Sequence, residues 1–106
     1  MVVTTTAPIA KIEKIEIQEY TSKKTYSVTH GGSVNVGEER IRITVTVRNV
    51  GAVSGTIVTE LLVDGVSKGP RSLSLSPYVS GSTYWDIELT QGSHSVIVRA
   101  GHELYI

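Results

Sequence analysis

From residue 40 to 47 apolar and polar side chains alternate without a break. Ile41, Ile43, Val45 and Val47 fall on one face, and Arg40, Arg42, Thr44, Thr46 and then Arg48 fall on the other. A period of two predicts a half-buried antiparallel strand with one wet face. The same alternation sets Ile57, Thr59, Leu61 and Val63 inward over 56–63. It sets Trp85, Ile87 and Leu89 on one face over 82–90, with Tyr84, Asp86 and Glu88 opposite. Over 94–100 it turns Val96 and Val98 inward and Ser95, Ile97 and Arg99 outward. No stretch repeats apolar residues at the helical spacing, so strands are expected throughout.

Turn residues punctuate these runs. Asp64 and Gly65 are a strong two-residue hairpin signal. Gly69 and Pro70 interrupt the returning strand, and proline cannot donate to a ladder, so that strand belongs at a sheet edge. Residues 77–81 read as a loop, and Gln91 with Gly92 as a turn. Asn49 and Gly51 end the first clear strand and are expected to do so through positive φ. Earlier in the chain, 9–20 reads as a strand in which Ile12 and Ile15 differ in parity. One extra residue near Glu13 and Lys14, a β-bulge, reconciles them. Segments 24–30 and 33–36 flank Gly31 and Gly32 as a hairpin or as two short edge pieces.

Short strands with turn signals roughly every 8–12 residues mean a sandwich or a barrel. The expectation is an all-β, immunoglobulin-like antiparallel β-sandwich of about seven to nine strands. One domain over 9–106 is expected, with residues 1–8 as a flexible or partner-donated N-terminal segment.

Composition narrows the function. Ile, Val and Thr supply 37 of the 106 residues, which suits pleated, half-buried surfaces. Asn, Gln and Met are scarce, a leaning towards a heat-adapted source. Ten basic and ten acidic residues cancel, and they are scattered, so no basic patch is available for phosphates and nucleic acid is not an expected partner. The absence of cysteine excludes disulfides and thiolate metal sites. No apolar run approaches the roughly 20 residues needed to cross a bilayer. Residues 1–10 lack the basic start and long apolar stretch of a signal peptide.

Catalytic chemistry finds little footing. None of the serines lies in a G-x-S-x-G elbow. His30, His94 and His102 lack zinc-motif spacing, and along one strand His94 and His102 stand roughly 26 Å apart. The only aspartates are Asp64, which the turn accounts for, and Asp86, so no calcium cluster is apparent. The reading is a non-enzyme with no cofactor. Trp85 reads as a core anchor.

Interface candidates remain. Tyr20, Tyr26 and Tyr84 combine apolar area with a polar tip. The N-terminal run is uncharged and β-branched through Val2, Val3 and Thr5, and the C-terminal run Leu104, Tyr105 and Ile106 is also uncharged. Bare strand-prone segments are what β-augmentation of a neighbouring subunit uses.

Residues 37–100 also bear a resemblance to one family. GEERIRITVTVRNVG, TELLVDG, LSLSP and GSHSVIVRA, within residues 37–100, resemble the CARDB domain, the cell-adhesion-related domain found in bacteria and archaea. Gly37 and Glu38 open the matching strand, Asn49 and Gly51 close it, Asp64 and Gly65 form the hairpin turn, and Gly92, His94, Val96 and Val98 fall on the last core strand. Tyr78 stands after Pro77 where that family has Pro-Gly. The resemblance implies an immunoglobulin-like or fibronectin-III-like sandwich and a role in adhesion, presentation or spacing outside the cytoplasm, with no catalytic residues to carry over.

Three readings follow. The first is a non-catalytic extracytoplasmic binding or spacer module of the adhesion type, contacting protein partners or the neighbouring domains of a parent chain. The second is a self-assembling subunit of a filament, pilus or virion that uses its terminal strands. The third is a small carbohydrate-binding module, with a glycan as partner. The location expected is extracellular, on a cell surface, or within a virion or filament.

Overall fold

The structure, a computed structural model, describes residues 8–28, 31–37 and 39–101. Its elements are β1 (Ala10–Glu19), β2 (Thr25–Val28), β3 (Gly31–Val36), β4 (Arg40–Asn49), β5 (Gly55–Val63), β6 (Val66–Leu75), β7 (Ser80–Glu88) and β8 (Gly92–Ala100). They form two antiparallel sheets of four strands, β2-β1-β4-β7 and β3-β8-β5-β6. The apolar faces of both sheets join in one buried cluster, so the architecture is an all-β sandwich.

The alternation read from the sequence is the alternation of burial. Ile41, Ile43, Val45 and Val47 are buried on β4, as are Ile57, Thr59, Leu61 and Val63 on β5 and Val96 and Val98 on β8. On β1, Ile12 pairs with Val47 and Lys14 with Thr46, which leaves Glu13 as the extra residue of a bulge. The bulge lets Ile12, Ile15 and Ile17 all reach the core despite their parity. Pro70 lies on β6, an edge strand, as a residue without an N–H must. The segments near Gly31 and Gly32 are the two short edge pieces of the expectation and not its hairpin. β2 ends at Val28 on the edge of the first sheet, and β3 begins at Gly31 on the edge of the second.

Trp85 is 1% exposed. Its indole Nε1–H donates to the Gly69 carbonyl at 3.0 Å, joining β7 of one sheet to β6 of the other. Asp64 and Gly65 have φ of 51° and 81° and connect β5 to β6 as a two-residue hairpin with both central residues left-handed.

Asn49 departs from its expected role. Neither it nor Gly51 has positive φ. Asn49 is the last residue of β4, fully buried, and it works through its amide instead. Oδ1 accepts from the N–H groups of Ile9 and Gly51 at 3.3 and 3.0 Å. Nδ2 donates to the carbonyls of Val53 and Leu75 at 2.8 and 3.2 Å. All four hydrogen-bonding sites of the amide are thereby filled, and the last of them ties β4 to β6 of the other sheet. The opposite pole has a similar clasp. The buried carboxylate of Glu19 accepts from the Gly37 N–H and from the Ser22 hydroxyl.

Candidate functional site

Among the described residues, the outward face of the first sheet concentrates aromatic and charged groups. The register of β4 against β7 sets Arg40 beside Glu88, Arg42 beside Asp86 and Thr44 beside Tyr84. Each of these side chains points away from the core because its neighbours on both strands point inward. Arg42 forms a two-pronged bond with Asp86, Nε to Oδ1 at 2.7 Å and Nη2 to Oδ2 at 3.0 Å. This hydrogen bond holds the Asp86 carboxyl below the usual carboxylate range and raises Arg42 above its ordinary value. The guanidinium carbon of Arg42 also lies 4.1 Å from the Tyr84 ring centroid. Arg42 is therefore fixed in its plane and direction by two contacts of different kinds.

Tyr20 follows β1 at the lower end of the same face. The Lys23 ammonium is 5.1 Å and the Arg40 guanidinium 5.8 Å from its ring centroid. Between Tyr20 and β7 runs a shallow groove of about 450 Å³, lined by Tyr20, Arg40, Ile41, Asp86, Ile87 and Glu88. Tyr20 and Tyr84 are each about half exposed, at 49% and 48%. Two tyrosines and two arginines on a flat sheet face have the composition of a protein-contact patch.

The sequence-derived candidates therefore divide. Tyr20 and Tyr84 share this face. Tyr26 does not join them, since it is half buried and packs against the core. Val2, Val3, Thr5, Leu104, Tyr105 and Ile106 lie outside the described residues. The chain next to them can be placed. Pro8 is buried against Gly55, and the Gly101 N–H donates to the Val58 carbonyl, so the described chain enters and leaves beside the first strand turns of β5.

A second polar cluster lies at the end of the sandwich opposite Pro8 and Gly101, and sequence reasoning missed it. His94 Nδ1 is 2.6 Å from Asp64 Oδ2, and His94 Nε2 is 2.6 Å from the Thr90 carbonyl. Asp64 Oδ1 accepts from the Ser95 N–H at 2.8 Å. Thirty residues separate His94 from Asp64, and no local signal links them. Only the pairing of β5 with β8 brings the hairpin turn beside the start of β8. The Thr90 hydroxyl oxygen also lies 3.4 Å from His94 Nε2. Among the described residues no group of three or more His, Cys, Asp or Glu side chains is placed to hold a metal ion. Among them, too, no helix is long and apolar enough to cross a membrane.

Compared with known proteins, the chain matches no family model, no curated protein and no solved structure.

Proposed function

We propose that this chain is a non-catalytic, extracytoplasmic binding or spacer module of the adhesion type, with an immunoglobulin-like sandwich as its scaffold and a protein as its partner. The observation that carries the reading is the outward patch on the first sheet, where Arg42 is held by Asp86 and stacked on Tyr84 beside the Tyr20 groove. Its polar groups are already oriented, so little side-chain entropy is lost when a partner settles on it. A scaffold of two four-stranded sheets with a buried tryptophan agrees with the immunoglobulin-like assignment and with the cell-adhesion-related resemblance.

A carbohydrate partner is less favoured, because the Arg42 guanidinium lies over the Tyr84 ring where a sugar would stack. Assembly through terminal strands is a second reading. It is favoured by the common pole from which the described chain enters at Pro8 and leaves at Gly101.

The test is retention of cell-envelope fractions on the immobilised domain and on an Arg42→Ser/Tyr84→Ser variant. A protease-sensitive component held by the first and lost from the second supports the proposal. Retention abolished by periodate treatment of the fraction transfers support to the carbohydrate reading. Equal retention by both proteins removes the first sheet from the account.

A further inference from the structure

The two outer faces of the sandwich differ in kind. The first sheet carries charge along β4 at Arg40, Arg42 and Arg48, and on β7 at Asp86 and Glu88. The second sheet, β3-β8-β5-β6, has two charged residues among the outward positions that its register pairs, Glu60 on β5 and Arg99 on β8, and they are directly opposite each other. Beside them on the same face, Leu62 of β5 is opposite Ile97 of β8. Val58 follows two positions away on β5. Val58 and Ile97 are 47% and 39% exposed. The remaining outward positions in these ladders are small or uncharged, chiefly serine and threonine. A wide sheet surface so poor in charge is unusual for a face meant for water alone.

We propose that this face is a self-association surface and that its occupant is the same face of a second copy of the chain. Three properties point to a copy. The face is neutral, with one acid and one base. These two are cross-strand neighbours, so a two-fold axis running along the strands between β5 and β8 sets Glu60 over the partner's Arg99 and Leu62 over the partner's Ile97. That axis also keeps the strands of the two stacked sheets aligned, which is one of the two ways in which sheets pack face to face. The size is sufficient. The strands of 6, 9, 9 and 10 residues, at about 3.3 Å rise and about 4.8 Å spacing, give roughly 540 Å² per copy. The pair then buries about 1,100 Å², at the lower limit for a specific interface, and the association is of the weak, reversible class. This surface lies on the opposite side of the sandwich from the Tyr20–Tyr84 patch, so a module can self-associate and still present that patch. The inference is independent of the partner proposed for it.

The experiment is sedimentation velocity of the full chain over a concentration series, for wild type, Ile97→Lys, Glu60→Arg and the double exchange Glu60→Arg/Arg99→Glu. Circular dichroism accompanies each to establish that it is folded. The wild type is expected to form a dimer that dissociates on dilution. Glu60→Arg sets like charges together and is expected to weaken the dimer by roughly tenfold or more, and Ile97→Lys likewise. The double exchange restores the opposite-charge contact and should recover the dimer, which a mere folding defect would not do. A wild type that stays monomeric at the highest concentration reached overturns the proposal. So does association that is unchanged in both single variants, including association that instead disappears on removing residues 1–7, and so does a double exchange that fails to recover.

Discussion

His94 donates from Nδ1 to the Asp64 carboxylate and from Nε2 to the Thr90 carbonyl, each over 2.6 Å. The carboxylate and the carbonyl accept only, so this geometry favours the protonated imidazolium. The hydrogen bond to Asp64, and then that to Thr90, raise His94 above its ordinary value. The same bond to His94, then the Ser95 N–H, and in smaller part the charge of Lys68, hold Asp64 below the usual carboxylate range. The two shifts act on stability in opposite directions of pH. His94 contributes fully below its unfolded value of about 6.5 and loses the contribution as pH rises through its raised folded value. Asp64 contributes above its unfolded value of about 3.9 and loses the contribution as pH falls through its lowered folded value. The clasp is therefore complete between about pH 4 and 6.5. Thermal melts across pH should show the melting temperature falling on the alkaline side of this window, and His94→Gln should flatten that fall. An alkaline limb of equal slope in the variant would show that His94 is not its cause.

Trp85 reaches from β7 to the Gly69 carbonyl of β6, with its ring filling the core between the sheets. Trp85→Ala removes the ring and should cost about 3–5 kcal/mol. Trp85→Phe keeps most of the volume and loses the bond to Gly69, and should cost less than the alanine variant. Urea unfolding measures both. Equal losses would mean that the hydrogen bond, not the ring, holds the two edges together.

Asn49 has all four amide sites filled, by Ile9, Gly51, Val53 and Leu75. Asn49→Ala leaves two N–H groups and two carbonyls without this partner, and should cost about 3–5 kcal/mol at a fully buried position. Asn49→Asp preserves shape but sets a buried carboxylate against the Val53 and Leu75 carbonyls. It should be less stable than the alanine variant at neutral pH and recover as acid protonates the carboxyl. Unfolding of the two variants at neutral and acid pH decides this, and a carboxylate tolerated at neutral pH would mean that the Nδ2 assignment is wrong.

Strand faces were legible because burial repeats along a strand every second residue. Even the bulge at Glu13 announced itself, since Ile12 and Ile15 cannot share a face without it. The edge position of β6 followed from Pro70 for an equally local reason. What the sequence hid is contact across the fold. Asn49 reads locally as a turn former, yet its task is to join β4 to Leu75, and that is visible only once the sheets are stacked. His94 and Asp64 are likewise brought together by pairing of strands far apart in sequence. Tyr20, Tyr26 and Tyr84 are alike as residue types, and the fold separates them by burial and by the arginines placed against two of them.

Arg42 connects the structural and binding roles of the first sheet, and the two can be separated by measurement. Its side chain is 40% exposed and that of Asp86 51%, so water and salt screen the pair strongly. Arg42→Ala should therefore leave the fold intact, with little loss of stability. The local electrostatics should change more clearly. Removing the guanidinium takes away the hydrogen bond that lowers the Asp86 carboxyl, so its titration, followed by carboxyl carbon resonances, should move up towards the usual carboxylate range. Tyr84 loses the cation over its ring in the same variant. If the patch recognises a partner through an arginine oriented by Asp86, then Asp86→Asn should weaken binding while leaving Arg42 present and the sandwich folded. Binding that withstands Asp86→Asn and fails with Arg42→Ala would place recognition in the charge alone, and binding that withstands both would remove Arg42 from the contact.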